Sequence, residues 1–185
     1  MMRSTGRLYA FDVSEKRLAK LKPRMARAGL SNVHPVLIAH EADAKVKRLA
    51  GKADRVLVDA PCTGLGTLRR NPDLKWRQSP QALEELVAKQ TAIRESAARL
   101  PKSGGRLVYA TCSMLPQENE AIAEAFTQAH RDFEPLDAGE LLAQLKVPEA
   151  ASLCSGGESG SRFVRLWPHR HQTDGFFAAA WTRKL

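Results

Sequence analysis

Short apolar runs alternate with segments of helical spacing along this 185-residue chain, and that alternation limits the fold more than any other feature. It predicts an α/β fold with a parallel sheet, whose ligands bind at the carboxyl ends of the strands. The continuous apolar run of 54–60 further predicts a strand buried on both faces. The predicted strands cover 6–13, 32–38, 54–60, 106–112 and 132–136, with a final antiparallel pair over 162–168 and 175–182. The predicted helices lie between Ser14 and Gly29, over 81–100, and from Pro116 to about His130.

Composition indicates one globular domain over residues 1–185. Hydrophobic residues make up 43% of the chain and charged residues 26%, and no apolar stretch approaches the length of a membrane span. The first residues lack the apolar core of a secretory signal. The chain has three cysteines, an odd and low number, so a disulfide framework is not expected. A reducing, cytoplasmic location is expected instead.

The net charge of +9 makes a polyanionic partner plausible. Basic residues flank an aromatic side chain within 66–80, a combination that suits phosphate contacts and base stacking in RNA. A solvated surface would show the same charges, and that is the preferred reading of the acidic stretch 115–150. The candidate RNA-binding residues are Arg69, Arg70, Lys75, Trp76 and Arg77.

Two acids occupy positions that suit a nucleotide cofactor. Asp12 ends the first predicted strand just before a helix, where nucleotide-binding α/β domains place an acid that accepts hydrogen bonds from ribose hydroxyls. Asp43 follows the second strand in "EADAK". Taken alone, the position of Asp12 is also typical of an acid stabilised by a helix dipole, and the position of Asp43 is also typical of an ordinary loop acid.

Two cysteines follow strand ends, namely Cys62 in "DAPCTG" and Cys112 in "YATCS". Since Asp12, Asp59 and Cys112 all fall at carboxyl ends of predicted strands, we expect them to converge on one crevice. The proline before Cys62 restricts the backbone there. A helix N-terminus after Cys112 would lower its pKa and favour the nucleophilic thiolate. The alternative is a pair of small buried core thiols.

A metal site is not expected. Cys62, Cys112 and Cys154 lie far apart in the sequence, with no C-x-x-C pair. His169 and His171 offer two ligands, but "PHRHQTDG" is predicted to form a polar or phosphate-facing loop.

Several segments resemble the RNA cytosine-5 methyltransferases, and most closely the bacterial Sun-type (RsmB-like) enzymes that modify ribosomal RNA. They are "VDAPCTGLGTLRRNPDLKWR" (58–77), "GGRLVYATCSMLPQENE" (104–120) and "TDGFFAAAW" (173–181). "GRLYAFDVSEKRL" (6–18) is similar to the family segment after the first S-adenosylmethionine motif. The resemblance covers nearly the whole chain. It implies the C-terminal catalytic part of an S-adenosylmethionine-dependent methyltransferase with a Rossmann-like α/β fold.

The resemblance also implies a role for each candidate residue. Cys112 matches the family's nucleophile, and Cys62 matches the cysteine that assists product release. Asp12 would bind the cofactor ribose, Asp43 would lie by the adenine, and Asp59 would lie near the methionine end and the target base. The implied reaction is methyl transfer to carbon 5 of a cytosine in RNA through a covalent adduct at Cys112.

The N-terminus departs from the family pattern. Ahead of the region that matches Met1, family members carry a strand and a glycine-rich cofactor loop, usually with an RNA-binding domain. The sequence is therefore expected to be N-terminally truncated, with the first strand and the glycine-rich loop missing. The isolated chain is expected to bind S-adenosylmethionine weakly or not at all.

Two other functions stay open on the sequence alone. A DNA cytosine-5 methyltransferase would use Cys62, the cysteine after proline, as its nucleophile, although the likeness around Cys112 argues against it. A noncatalytic RNA-binding or scaffold protein would keep the fold without the cofactor loop, although the cysteines and aspartates of the site are retained.

Overall fold

The computed structural model describes residues 5–156 and 161–185, which divide into two compact units, Met1–Arg48 and Leu49–Leu185. The single domain predicted over 1–185 stays a prediction. Part of the predicted loop 154–161 lies outside the described residues. Within the described ranges, no helix combines the length and apolar character needed to cross a membrane.

The first unit contains a parallel strand pair. Strands β1 (Leu8–Asp12) and β2 (Val33–Leu37) align so that Asp12 lies opposite Leu37. Both strands confirm the sequence prediction, and Asp12 is the last residue of β1. The helices of this unit are α1 (Glu15–Ala19), α2 (Leu21–Arg27) and α3 (Ala44–Lys47).

The helix predicted between Ser14 and Gly29 is divided into α1 and α2. Ser14 caps α1 as expected, since its side chain accepts a hydrogen bond from the Arg17 amide. Pro23 lacks the N–H that a continuous helix would donate to the carbonyl of Ala19. Because α2 begins at Leu21, Pro23 falls in its first turn, where a proline is tolerated.

The second unit is built on a six-stranded mixed sheet with the order β3-β4-β8-β7-β6, in which β5 also pairs with β8. Its strands are β3 (Ala53–Asp59), β4 (Pro101–Thr111), β5 (Phe133–Pro135), β6 (Cys154–Ser155), β7 (Phe163–Leu166) and β8 (Phe176–Arg183). The β3–β4 pair is parallel. The remaining pairs are antiparallel, since β8 runs opposite to β4, β5 and β7, and β6 runs opposite to β7. Within this sheet, the parallel pairing predicted from the sequence therefore holds only for β3 and β4. The predicted antiparallel pairing of β7 with β8 is confirmed.

Among the described residues of the second unit, two helices correspond to predicted ones, and three further short helices were not predicted from the sequence. The helices are α4 (Leu74–Arg77), α5 (Pro80–Ala98), α6 (Glu120–Ala129), α7 (Ala138–Gln144) and α8 (Pro168–His171). The helix predicted from Pro116 begins with a 3-10 turn, Pro116–Glu118, so that α6 itself starts at Glu120. The segment "PHRH", predicted as loop, forms the short helix α8 with Pro168 at its first position.

The core of the second unit lies against alternate side chains of β4 and β8. Tyr109 and Trp181 are almost fully buried, and Trp181 meets the ring of Phe126 edge to face at 4.8 Å between centroids. The prediction that β3 is buried on both faces is wrong. Val58 packs in this core, whereas Leu57 on the opposite face is 67% exposed, because successive side chains of a strand point to opposite faces.

Candidate active site

The parallel strands β3 and β4 place Asp59 and Cys112 at the same edge of the sheet. Asp59 is the last residue of β3 and lies opposite Ala110 in the register with β4. Cys112 follows Thr111, the last residue of β4. The predicted convergence is therefore confirmed for Asp59 and Cys112. For Asp12, which lies in the first unit, it stays a prediction.

The two cysteines of the site face each other. The Sγ atoms of Cys62 and Cys112 are 3.5 Å apart, and both thiols are free and half-buried. This distance is within the range of a sulfur hydrogen bond and far longer than a disulfide bond. Two residues that are distant in the sequence thus form one dithiol pair, rather than two unrelated core thiols.

Hydrogen bonding between the thiols separates their pKa values. The hydrogen bond from Cys62 lowers the pKa of Cys112 from the ordinary 9.0 to about 7, against the opposing effects of burial, Asp59 and Glu118. The same hydrogen bond, together with burial, raises the pKa of Cys62. Cys112 is therefore the more acidic thiol of the pair, and Cys62 is the one favoured to stay protonated beside it. The helix effect predicted for Cys112 is wrong, because α6 begins only at Glu120.

A buried carboxylate joins the two cysteine loops. Glu118 has no solvent exposure, and its Oε1 accepts hydrogen bonds from the Thr63 amide and from Gln90 Nε2, each at 2.8 Å. Its Oε2 accepts from the hydroxyls of Thr63, at 2.5 Å, and Ser113. Gln90 also donates to the carbonyl of Pro61 at 2.8 Å. Glu118 was not predicted as a site residue, because its partners are remote in sequence; "ENE" in the quoted segment was the available signal.

Two glycines allow three segments of the chain to touch beside the thiols. The Gly66 amide donates to the Cys112 carbonyl at 2.9 Å, and the Gly175 amide donates to the Gly66 carbonyl at 2.8 Å. A Cβ on Gly66 would lie 2.3 Å from the Gly175 oxygen and 2.6 Å from the Cys112 oxygen. A Cβ on Gly175 would lie 2.3 Å from the sulfur of Met114. The three segments approach this closely only because both side chains are absent.

The predicted RNA-binding residues lie on the exposed segment that follows the Cys62 loop. Trp76 on α4 is 80% exposed, with the Lys75 ammonium 4.8 Å from its ring centroid. The Arg77 guanidinium pairs with Asp73 at 2.5 Å, and Arg70 pairs with Asp174. The segment, including Arg69, presents cationic groups and one aromatic face to solvent. Its contact with RNA stays a prediction.

Asp12 is an ionised carboxylate held by its neighbours. Arg17 donates to its two oxygens at 2.7 and 2.5 Å, and the Ser14 amide donates at 2.8 Å, so its pKa is lowered. Asp12 also lines a cavity of about 390 Å³ within the first unit, together with Arg17, Lys20 and Arg24.

Asp43 acts as the N-cap of α3. Its carboxylate accepts hydrogen bonds from the amides of Ala39, at 2.9 Å, and Lys45, at 2.8 Å, and these bonds lower its pKa. Capping a helix is a structural role, as expected of an ordinary loop acid. The two hydrogen bonds leave further acceptor positions on both carboxylate oxygens of Asp43.

Among the described residues, no group of three or more His, Cys, Asp or Glu side chains is arranged to hold a metal ion. His171 at the end of α8 forms hydrogen bonds with the backbone: its Nδ1 accepts from the Trp167 amide at 2.8 Å, and its Nε2 contacts the Ser152 carbonyl.

Comparison with known proteins shows the same relationship in sequence and in structure. A "Probable ribosomal RNA small subunit methyltransferase B" of Synechocystis is 40% identical over 181 residues, which cover 97% of this chain and 38% of that protein. The crystal structure of PH0851 superposes with a TM-score of 0.83 at 38% identity, covering 97% of this chain and 38% of that one. NSun6 from Pyrococcus horikoshii, solved with SFG, superposes with a TM-score of 0.76 at 29% identity, covering 97% and 42%.

These relatives confirm the Rossmann-like methyltransferase fold, and the chain spans about two fifths of the length of the Synechocystis protein. The family model for the 16S rRNA methyltransferase RsmB/F matches residues 1–182. The chain therefore belongs to the RsmB/F family of 16S rRNA methyltransferases.

Proposed function

We propose that this chain is the catalytic part of an enzyme that transfers a methyl group from S-adenosylmethionine to carbon 5 of a cytosine in ribosomal RNA, with Cys112 as the nucleophile. The observation that carries the proposal is the dithiol pair, in which Cys112 lies 3.5 Å from the thiol of Cys62 and has a pKa of about 7. About half of Cys112 is then ionised at pH 7, and the thiolate is the nucleophilic form of cysteine.

A thiolate nucleophile overcomes the low reactivity of the target carbon. Carbon 5 of cytosine is a weak nucleophile, and attack by Cys112 on carbon 6 forms an S–C6 bond and moves the electron pair of the 5,6 double bond toward carbon 5. When bound, S-adenosylmethionine would supply an electrophilic methyl group to that carbon and leave as S-adenosylhomocysteine. Solvent water would then take the carbon 5 proton, the C–H electron pair would restore the 5,6 double bond, and the S–C6 bond would break with return of its electron pair to the sulfur of Cys112.

Cys62 is suited to the second half of this cycle. Its sulfur lies 3.5 Å from that of Cys112 and its pKa is raised, so a protonated Cys62 would donate to Cys112 and stabilise the negative charge that returns to that sulfur. Asp59 lies at the same sheet edge, and its charge acts on Cys112. We assign Asp59 to the ring nitrogen of the target base, where a shared proton would stabilise the charge shift.

The residues of the first unit fit an adenosyl cofactor. Asp12 carries a lowered pKa at the end of β1, and the Arg17 side chain that now pairs with it is 64% exposed, so binding of the cofactor would require Arg17 to move aside. Its carboxylate would then accept hydrogen bonds from the ribose hydroxyls. Asp43 keeps acceptor positions for the adenine amino group. NSun6 from P. horikoshii was solved with SFG, an S-adenosylmethionine analogue, which supports this cofactor.

A trapped adduct tests the proposed function. In the Cys62→Ala variant, release of Cys112 should slow, so that a covalent protein–RNA complex accumulates with 16S rRNA and S-adenosylmethionine and survives denaturing electrophoresis. The assay uses this chain and, in parallel, the chain preceded by the N-terminal part of the Synechocystis relative. Cys154→Ala serves as the matched control and should not accumulate the complex.

The double variant Cys62→Ala/Cys112→Ala separates the possible nucleophiles. Loss of the adduct in this variant assigns the bond to Cys112. Adduct formation by a Cys112→Ala single variant would instead make Cys62 the nucleophile, as in DNA cytosine-5 methylation. RNA binding without adduct or methyl transfer in all forms would favour the noncatalytic alternative.

A further inference from the structure

The buried carboxylate of Glu118 links the loops that carry the two thiols. Thr63 and Ser113 each follow one of the cysteines directly, and both donate hydroxyl hydrogen bonds to the same oxygen of Glu118. These hydroxyls are 3.1 Å apart, so one carboxylate oxygen closes a bridge between the two loops. The bridge is shielded from bulk solvent, because Thr63, Ser113 and Glu118 are at most 2% exposed.

Glu118 is itself held in place from three directions. Gln90 on α5 donates to its Oε1 at 2.8 Å, and the Thr63 amide donates to the same oxygen at the same distance. The Tyr109 hydroxyl on β4 donates to the Glu118 backbone carbonyl at 2.7 Å. Asn119 next to it donates to the Ser113 carbonyl at 3.0 Å. A carboxylate fixed in this way sets the positions of its partners instead of following them.

We propose that Glu118 is the positioning residue of the dithiol site: its carboxylate holds the Cys62 and Cys112 loops at the separation that lets the two thiols share a hydrogen bond. The proposal rests on the function assigned above to Cys112. Glu118 touches neither thiol through a hydrogen bond, and it acts through Thr63 and Ser113. Its four donors satisfy both oxygens, so no acceptor position is directed at a substrate.

The charge of Glu118 and its positioning role have opposite effects on the pKa of Cys112, so the two can be distinguished by experiment. As a nearby negative charge, Glu118 raises the pKa of Cys112, so removing that charge alone would lower it. As the group that keeps Cys62 in place, Glu118 preserves the hydrogen bond that lowers the same pKa most strongly. Other ionisable groups close to the site include Asp59, Tyr109 with Arg94 acting on it, and Arg165, whose guanidinium donates to the carbonyls of Ser113 and Met114.

The experiment measures the pH dependence of Cys112 alkylation by iodoacetamide in this chain, without RNA or cofactor. Glu118→Ala should move the midpoint of the profile above 7 and slow alkylation at pH 7 about fivefold, close to the effect of Cys62→Ala. Glu118→Gln keeps an acceptor and a hydrogen-bonding amide, so it should retain at least about half of the rate. Glu124→Ala, an exposed glutamate on α6, is the matched control and should leave the profile unchanged.

A double-variant comparison excludes a general loss of structure. In a Cys62→Ala background, Glu118→Ala should change the rate by less than about twofold, because the hydrogen bond it protects is already absent. If Glu118→Ala does not fold, Ser113→Ala removes one half of the bridge and should shift the midpoint in the same direction. A midpoint that falls or stays unchanged in the folded variants would overturn the proposal. Because no methyl transfer is measured, failure of the adduct assay and failure of this inference are distinguishable.

Discussion

Removal of the Cys62 thiol should make Cys112 a weaker nucleophile at neutral pH and a stronger one at high pH. Cys62 donates the hydrogen bond that contributes most to the low pKa of Cys112. Without it, burial and the negative charge of Asp59 remain, and both raise the pKa of Cys112. In Cys62→Ala we therefore expect this pKa to rise from about 7 to its ordinary value of 9.0 or above.

The size of the effect follows from the fraction of thiolate. At pH 7 that fraction falls from about one half to about 1% when the pKa rises by two units. A more basic thiolate reacts faster, with a Brønsted coefficient of about 0.4–0.5 in thiol–disulfide exchange, so the observed rate falls by roughly five- to eightfold. Above pH 10, where both forms are ionised, Cys62→Ala should react roughly six- to tenfold faster than the parent chain.

Alkylation by iodoacetamide, followed by mass spectrometry of tryptic peptides, measures this profile. The three cysteines lie on separate tryptic peptides, 56–69, 107–131 and 147–162, so modification of Cys112 is read directly. Cys62→Ser keeps a hydroxyl donor and should give an intermediate midpoint, whereas Cys154→Ala should match the parent. Profiles of the parent and Cys62→Ala that superpose, with no crossing between pH 7 and 10, would refute the thiol–thiolate assignment.

Two further variants test the packing and the surface of the site. Gly66→Ala places a Cβ against backbone oxygens and should lower the free energy of unfolding by about 3 kcal/mol in urea titrations. Gly104 lies in open space at φ +72°, so Gly104→Ala should lower the free energy of unfolding by only about 1 kcal/mol. Equal losses in the two variants would contradict the steric argument. Trp76→Ala should weaken RNA binding about tenfold in filter binding without changing Tm, whereas Leu145→Ala, at a residue that is 73% exposed, should change neither the affinity nor Tm. Unchanged affinity of Trp76→Ala would remove Trp76 from the interface.

The strand ends were the part of the site that the sequence could predict. Asp59 and Cys112 follow apolar runs, and parallel neighbours bring their carboxyl ends to one edge, so their convergence follows from local patterns and one topological rule. The order of the remaining strands was harder, because the antiparallel insertion of β8 beside β4 depends on long-range pairing. The division of the first predicted helix was readable in principle from Pro23, since a missing N–H acts locally.

The sequence by itself determined the class of fold, the candidate thiols and the exposed basic segment, because these depend on residue type, periodicity and spacing. The tertiary structure decided which thiol has the lower pKa. That choice rests on a contact of 3.5 Å between residues on different loops, and on a buried carboxylate whose partners come from α5, the Cys62 loop and the Cys112 loop. Hydrogen bonds act over a few ångströms in space, and no local pattern in the chain encodes which distant residues meet at that range.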